Sequence, residues 1–329
     1  MHYKDNNPPK ISIVTPCYNS SQFIHRLHES LCRQDYKNFE WVLVDDLSTD
    51  NTVVVLKELS PPGAGGILLY ALPQNSGGGV ALGFGFEKCR GEIVIMIDHD
   101  DELCDSALSI AIEKWRMIAQ RPDVVGLFYR RFDPALSKVI GEELIPGTEF
   151  SMSWQANTKP SITDGVLVLK REVAKQYFNA SSLEAICLSG VPLNLMTKSL
   201  KLVAGSSVPF LIYHRDNSNS QTNNIKISRK TVYTYAKYID AYDRYYFRRP
   251  FHWVRHIIAL IKFSIAVFGN PIYHHRYIES KFICSLSYFL LPVGMVRYFL
   301  SKKMRVVDFP FFNLSGLTSL DNIFIKSNE

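Results

Sequence analysis

No two of the six cysteines (Cys17, Cys32, Cys89, Cys104, Cys187 and Cys284) form a Cys-x-x-Cys pair, which excludes a zinc ribbon and gives no sign of a disulfide framework. Reduced thiols in a cytosolic protein are the simpler expectation. The segment MHYKDNNPPK lacks the apolar core of a signal peptide, so the folded part is expected to stay in the cytoplasm. Internal repeats and low-complexity tracts are also missing, which excludes a repeat array. A large charge excess is lacking too, the formal net charge being +6.

What is present is apolar and unevenly charged. With 329 residues, 47% of them hydrophobic, the chain can bury a full core and exceeds one minimal domain, so one large domain with an appendage is expected. The acidic motifs crowd the first half, whereas residues 226 to 305 are rich in Lys, Arg, Tyr and Phe. A basic, aromatic stretch suits an anionic surface, either lipid headgroups or nucleic acid.

Ile11 to Pro16 is a short β-branched run that reads as a buried strand, followed by helical spacing of Phe23, Leu27 and Leu31. The unit recurs in Phe39 to Asp46, a strand ending in two carboxylates, then Ser48-Thr49-Asp50 and an apolar-periodic stretch to Leu59. A third strand near Ile67 to Ala71 precedes the glycine-rich segment Asn75 to Gly85. A fourth, Gly91 to Asp98, ends in the cluster Asp98, Asp100 and Asp101. Strands alternating with helices predict a doubly wound, mostly parallel sheet with helices on both faces. Ligands then bind beyond the carboxyl ends of the strands, where Thr15, Asp45 with Asp46, and Asp98 to Asp101 fall.

Further on, a helix is expected over Asp105 to Gln120 and a strand over Val124 to Tyr129, with Arg130 to Pro160 irregular or hairpin. Val208 to His214 reads as a strand before a polar loop, Arg215 to Asn224. Beyond 226 long helices are expected, the most apolar over Phe251 to Gly269 and Phe282 to Val296. An Asp-x-Asp at a strand end offers hard oxygen ligands for Mg²⁺ or Mn²⁺. Taken alone, it could equally cap the next helix.

Four segments in order across residues 10 to 101 give it context: Thr15-Pro16-Cys17-Tyr18-Asn19, Asp45-Asp46-x-Ser48-Thr49-Asp50-x-Thr52, Asn75-x-Gly77, and the strand running into Asp98-x-Asp100-Asp101. Together they resemble the amino-terminal half of family 2 glycosyltransferases of the GT-A fold. The resemblance implies a nucleotide-sugar glycosyltransferase, metal-assisted and inverting, that uses Mn²⁺ or Mg²⁺ and most often a UDP-sugar. It places donor contacts at Thr15, Pro16, Tyr18, Asp46, Asn75, Gly77, Asp98, His214 and Arg215, with Asp46 toward the base. Asp100 is the first choice for the metal ligand, with Asp98 beside it. Asp45 could instead orient the loop and Asp50 cap the following helix.

Two departures stand out. Leu82 and Gly83 lie where the family often has Arg and Asn. Ser189 and Gly190 lie where inverting members carry an acidic pair, leaving Asp164 and Glu184 as equal candidates for the catalytic base, with Asp101 or another residue as the remaining alternative. A donor-binding scaffold without a base is therefore the alternative reading. A nucleotidyltransferase is the other rival, disfavoured because TPCYNSSQF lacks a glycine-rich signature. The Gln-x-x-Arg-Trp element of processive synthases is absent, so one sugar is transferred per encounter.

The expected organisation is a catalytic domain over residues 1–225 and a helical region over 226–329. The latter's apolar helices, bordered by Arg and Lys, suit peripheral contact at the cytoplasmic face of a membrane. Packing on the catalytic domain or on another subunit is the competing reading, so an oligomer is possible. A saccharide or lipid-linked saccharide is the expected acceptor, and no nucleic-acid partner is expected.

Overall fold

The computed structural model describes residues 10–140, 150–152, 165–178, 192, 195–196, 199, 201–214, 216, 229–241, 250–300 and 324–326. Strand β1 (Ile11–Cys17) lies between β2 (Phe39–Asp45) and β4 (Ile93–Met96), parallel to both, and β3 (Ile67–Ala71) continues the parallel set beyond β2. The helices between them are α1 (Ile24–Arg33), α2 (Thr52–Glu58) and α3 (Gly78–Lys88). The expected alternation of strand and helix is thus met in this half.

The second half makes the sheet mixed. After β5 (Glu102–Leu103) and α4 (Ala107–Ile118), β6 (Val124–Asp133) forms a hairpin with β7 (Lys138–Val139). β8 (Phe150–Met152) pairs with β10 (Leu202–Ile212), and β9 (Gly165–Lys170) inserts antiparallel between β4 and β6. Helix α5 (Arg171–Tyr177) follows β9, and β11 (Phe324–Lys326) adds to the outer edge of β3. Among the described residues parallel pairing is therefore confined to β1–β4 and to β6 with β10. Runs such as GVLVLK carry burial on both faces but no information on strand direction.

Side-chain alternation builds two cores. Ile11, Ile13 and Cys17 join Trp41 and Leu43 under α1, α2 and α4, while Val14, Val42 and Val44 meet α3 and α5 on the other face. At the amino ends of the strands Glu40 is fully buried. It is held by Ser12 Oγ at 2.5 Å and by Arg90 N and Nε, each at 2.6 Å. A buried carboxylate persists only when paired in this way.

A third cluster, built on Val232, Ala236, Ile239, Ile257, Leu260, Ile261, Ile283 and Leu290, joins α6 (Arg229–Ala241), α7 (Pro250–Phe268) and α8 (Lys281–Leu300). The 3₁₀ turn Tyr273–Tyr277 lies between α7 and α8. The two long helices match the apolar stretches read from sequence.

Candidate functional site

The turn after β2 is built by its own carboxylates. Asp45 accepts from Ser48 Oγ at 2.5 Å and from Ser48 N at 3.1 Å, which folds the chain back toward α2. Burial pushes the Asp45 carboxyl up, against the lowering effect of the Ser48 hydrogen bonds. Asp50 accepts from Ser21 Oγ at 2.6 Å and from Thr52 N at 3.0 Å, so it links the turn after β1 to the first residue of α2. Desolvation raises its pKa, but the Ser21 and Thr52 donors outweigh this and hold it below the usual carboxylate range.

Asp46 ties a third segment to these two. Its backbone N donates to Cys17 O at 2.8 Å, and its carboxylate accepts from the backbone N–H groups of Ser76 and Gly77, both at 2.7 Å. Gly77 has φ +90, a conformation that suits glycine, and it precedes α3 directly. Asn19 completes the arrangement: its N donates to Ser48 Oγ at 3.0 Å, and its Oδ1 accepts from Thr49 N at 2.9 Å.

On the other side of β1, Ile97 N still bonds to Val14 O, so the acidic residues begin where pairing stops. Asp101 N donates to Asp98 O at 3.2 Å, closing a turn. His99 Nδ1 lies 3.2 Å from Pro16 O; a carbonyl only accepts, so Nδ1 carries the proton, leaving Nε2 the acceptor in the neutral ring. Asp101 is buried, with the Arg131 guanidinium 4.0 Å away, whereas Asp98 and Asp100 are partly exposed.

The loops beyond the carboxyl ends of β1, β2, β3 and β4 carry Pro16 and Tyr18, Asp46, Asn75 and Gly77, and Asp98 and Asp100 respectively. Tyr18 is 44% exposed and Asn75 is exposed. Thr15 requires a correction. Its side chain is fully buried and Oγ1 accepts from the Trp41 indole N–H at 3.0 Å, so strand alternation turns it into the core with Ile13 and Cys17. Asp46, which the resemblance placed toward the base, has both carboxylate oxygens engaged by the Ser76–Gly77 loop. His214 sits with its Nε2 3.0 Å from Glu102 Oε2, and Glu102 also accepts from Arg33 at 2.7 Å. Asp164, Glu184 and Arg215 lie outside the described residues, as do Ser189 and Gly190.

Sequence reading missed Arg26, whose Nη1 donates to Asp100 O at 3.3 Å and which also pairs with Asp216. Helical spacing places Arg26 on the polar side of α1 and says nothing of partners distant in the chain. Among the described residues no group of three or more His, Cys, Asp and Glu could hold an ion by itself. Two carboxylates at one turn instead match Mg²⁺ or Mn²⁺, which keep waters and complete their shell with substrate phosphate oxygens. Asp98 and Asp100 would hold the ion, which when bound would stabilise charge on a leaving diphosphate.

Residues 12–178, just over half of the chain, match the family model for glycosyl transferase family 2. The chain belongs to that family. An uncharacterized glycosyltransferase of Haemophilus influenzae is 31% identical over 102 residues, 31% of this chain and 40% of that protein. The GalNAc(5)-diNAcBac-PP-undecaprenol beta-1,3-glucosyltransferase of Campylobacter jejuni is 32% identical over 108 residues, 32% of this chain and 34% of its own. These matched stretches span well under half of each relative. The crystal structure of S. aureus TarS 1-349 in complex with UDP-GlcNAc superposes with a TM-score of 0.52 at 14% identity, covering 88% of this chain and 89% of that one. At that identity the likeness concerns the fold: a family 2, GT-A type sheet with helices, followed here by a helical carboxyl-terminal region.

Proposed function

We propose that this chain transfers one sugar per encounter from a nucleotide-sugar donor, a UDP-sugar foremost, to a saccharide or lipid-linked saccharide acceptor, with metal assistance and inversion. The observation that carries the reading is the convergence of three turns at one sheet edge. The Asp46 carboxylate fixes the Ser76–Gly77 loop, and His99 fixes the Asp98–Asp101 turn to Pro16. In this reading Tyr18, Asn75 and Gly77 contact the base and ribose, while Asp98 and Asp100 hold the diphosphate's Mn²⁺ or Mg²⁺. Thr15 and Asp46 act from behind, as framework; His214 and Arg215 are assigned to diphosphate binding on the family resemblance.

The names of relatives support the substrate class, since the Campylobacter protein is named for a lipid-linked acceptor and TarS was crystallised with UDP-GlcNAc. In this reading residues 1–225 form the catalytic domain, and residues 226–329 make peripheral contact with the cytoplasmic face of a membrane, where such an acceptor resides.

The test is calorimetric titration of nucleotide and nucleotide sugars with and without Mn²⁺, followed by nucleotide release with a panel of acceptors. Asp100→Ala is expected to lose tenfold or more in metal-dependent affinity, about 1.4 kcal/mol. Unchanged Mn²⁺-dependent affinity in that variant would overturn the metal assignment.

A further inference from the structure

Helix α8 is apolar on almost every side yet only 22% buried over its most apolar window. Its buried stripe, Ile283, Ser287, Leu290 and Gly294, packs on α7, and a Cβ at Gly294 would lie 2.5 Å from Ile261 Cγ2, so the helices approach closely there. A second stripe at helical spacing, Phe282, Phe289, Val293, Val296 and Leu300, is 47–79% exposed. An exposed apolar surface of this kind marks a contact with another phase or molecule.

Charge identifies the partner. Of the chain's 37 Lys and Arg, 15 fall within residues 226–305, together with only three of its 31 Asp and Glu. The remainder of the chain is net acidic. The positive half thus carries the apolar stripe, as an anionic lipid surface requires: headgroups attract the cations while Phe, Val and Leu enter the acyl boundary. A nucleic acid would match the charge but not the stripe.

We propose that α8 lies in the plane of an anionic bilayer, with Phe282, Phe289, Val293, Val296 and Leu300 inserted and Lys281 and Arg297 at headgroup level. The proposal rests on the membrane contact of the preceding reading and names its face, orientation and lipid class. By length and composition alone the 20-residue helix could cross a membrane, but only the 15 residues between Lys281 and Arg297 are uncharged, against ~20 needed to cross, which favours an in-plane course. The opposite stripe is also committed to α7, which carries Arg255 and Lys262.

The experiment uses the full chain and sucrose-loaded vesicles of phosphatidylcholine, with and without about one-third phosphatidylglycerol. Binding is expected only to the anionic vesicles and should weaken steeply with salt, each surface cation counting for about fivefold. In the conservative variant Phe289→Trp, lipids brominated near the headgroup end of the chain should quench emission beyond that of the parent. Phe289→Glu combined with Val296→Glu should lose vesicle binding at least tenfold while still binding UDP with Mn²⁺, which shows folding and keeps this outcome separate from failure of the donor-site reading.

Any of these results would overturn the proposal: no binding to anionic vesicles, binding indifferent to the double Glu variant, or resistance to alkaline extraction, which denotes a spanning helix. A dimer in light scattering that the double variant dissolves would assign the stripe to a second copy and overturn it equally.

Discussion

The Arg26 guanidinium grips both carboxylate oxygens of Asp216, at 2.5 and 3.2 Å, while its Nη1 also reaches the Asp100 carbonyl at 3.3 Å. One side chain on α1 thereby joins the acidic turn to the segment after β10. The pairing raises the Arg26 pKa and holds the Asp216 carboxyl below its ordinary range.

Arg26→Ala should leave the fold intact but loosen the acidic turn. Partly exposed ion pairs contribute up to about 1 kcal/mol, so Mn²⁺-dependent UDP affinity is expected to fall roughly fivefold. Arg26→Lys should recover part of this, because an ammonium cannot reproduce the two-oxygen grip. Calorimetry beside thermal melts checks both; an affinity loss matched by a melting shift would mean general destabilisation instead.

Asp46→Asn exchanges one acceptor oxygen for an amide that faces a backbone N–H. A buried N–H deprived of its acceptor costs about 1–3 kcal/mol, so denaturant unfolding should shift by that amount. Donor affinity should fall as well, since the Ser76–Gly77 loop is no longer held. A variant with full stability and full affinity would show that the two 2.7 Å bonds contribute little.

For the base, Glu184→Gln and Asp164→Asn are expected to differ. The variant lacking the true base should lose ~10²–10⁴ in kcat with UDP binding retained. Turnover that survives in both would place the base elsewhere.

His274 gives a pH prediction for the helical region. It is fully buried, with Nδ1 3.0 Å from Ser264 Oγ, and burial reinforced by neighbouring His275 lowers its pKa from 6.5 to about 3. The folded state therefore resists a proton that the unfolded chain takes up below about pH 6.5. Stability is full above that value and falls as pH drops toward 3, by at most ~1.4 kcal/mol per pH unit. Melting at about pH 5 should reveal a loss on the order of 2 kcal/mol relative to neutral pH, reduced in His274→Asn.

Strands β1 to β4 and the acidic groups at their ends were legible because apolar runs and end-of-strand carboxylates are local patterns. Thr15 was misplaced although the pattern held the answer, since Ile11, Ile13, Thr15 and Cys17 share one face by alternation. Asp46 was legible as a site residue but not as an anchor, because its partners are backbone N–H groups and the sequence of side chains does not reveal them. Arg26 and Asp216 could not be paired in advance: 190 positions separate them, and either alone reads as a solvated charge. The antiparallel course of β9 was hidden for a similar reason, since burial on both faces looks the same in either direction.

That course governs how the chain can be made. β4 has β1 along one side, and its other edge is closed by β9, through pairs such as Ile93 with Lys170. Until the ribosome has delivered Gly165–Lys170, the nascent first half presents a row of unsatisfied amides and carbonyls beside an apolar surface. Such an edge invites pairing between neighbouring chains. The first half is thus dependent on synthesis of the second half for its solubility, and a fragment ending before β9 is expected to aggregate even though it contains all four motifs.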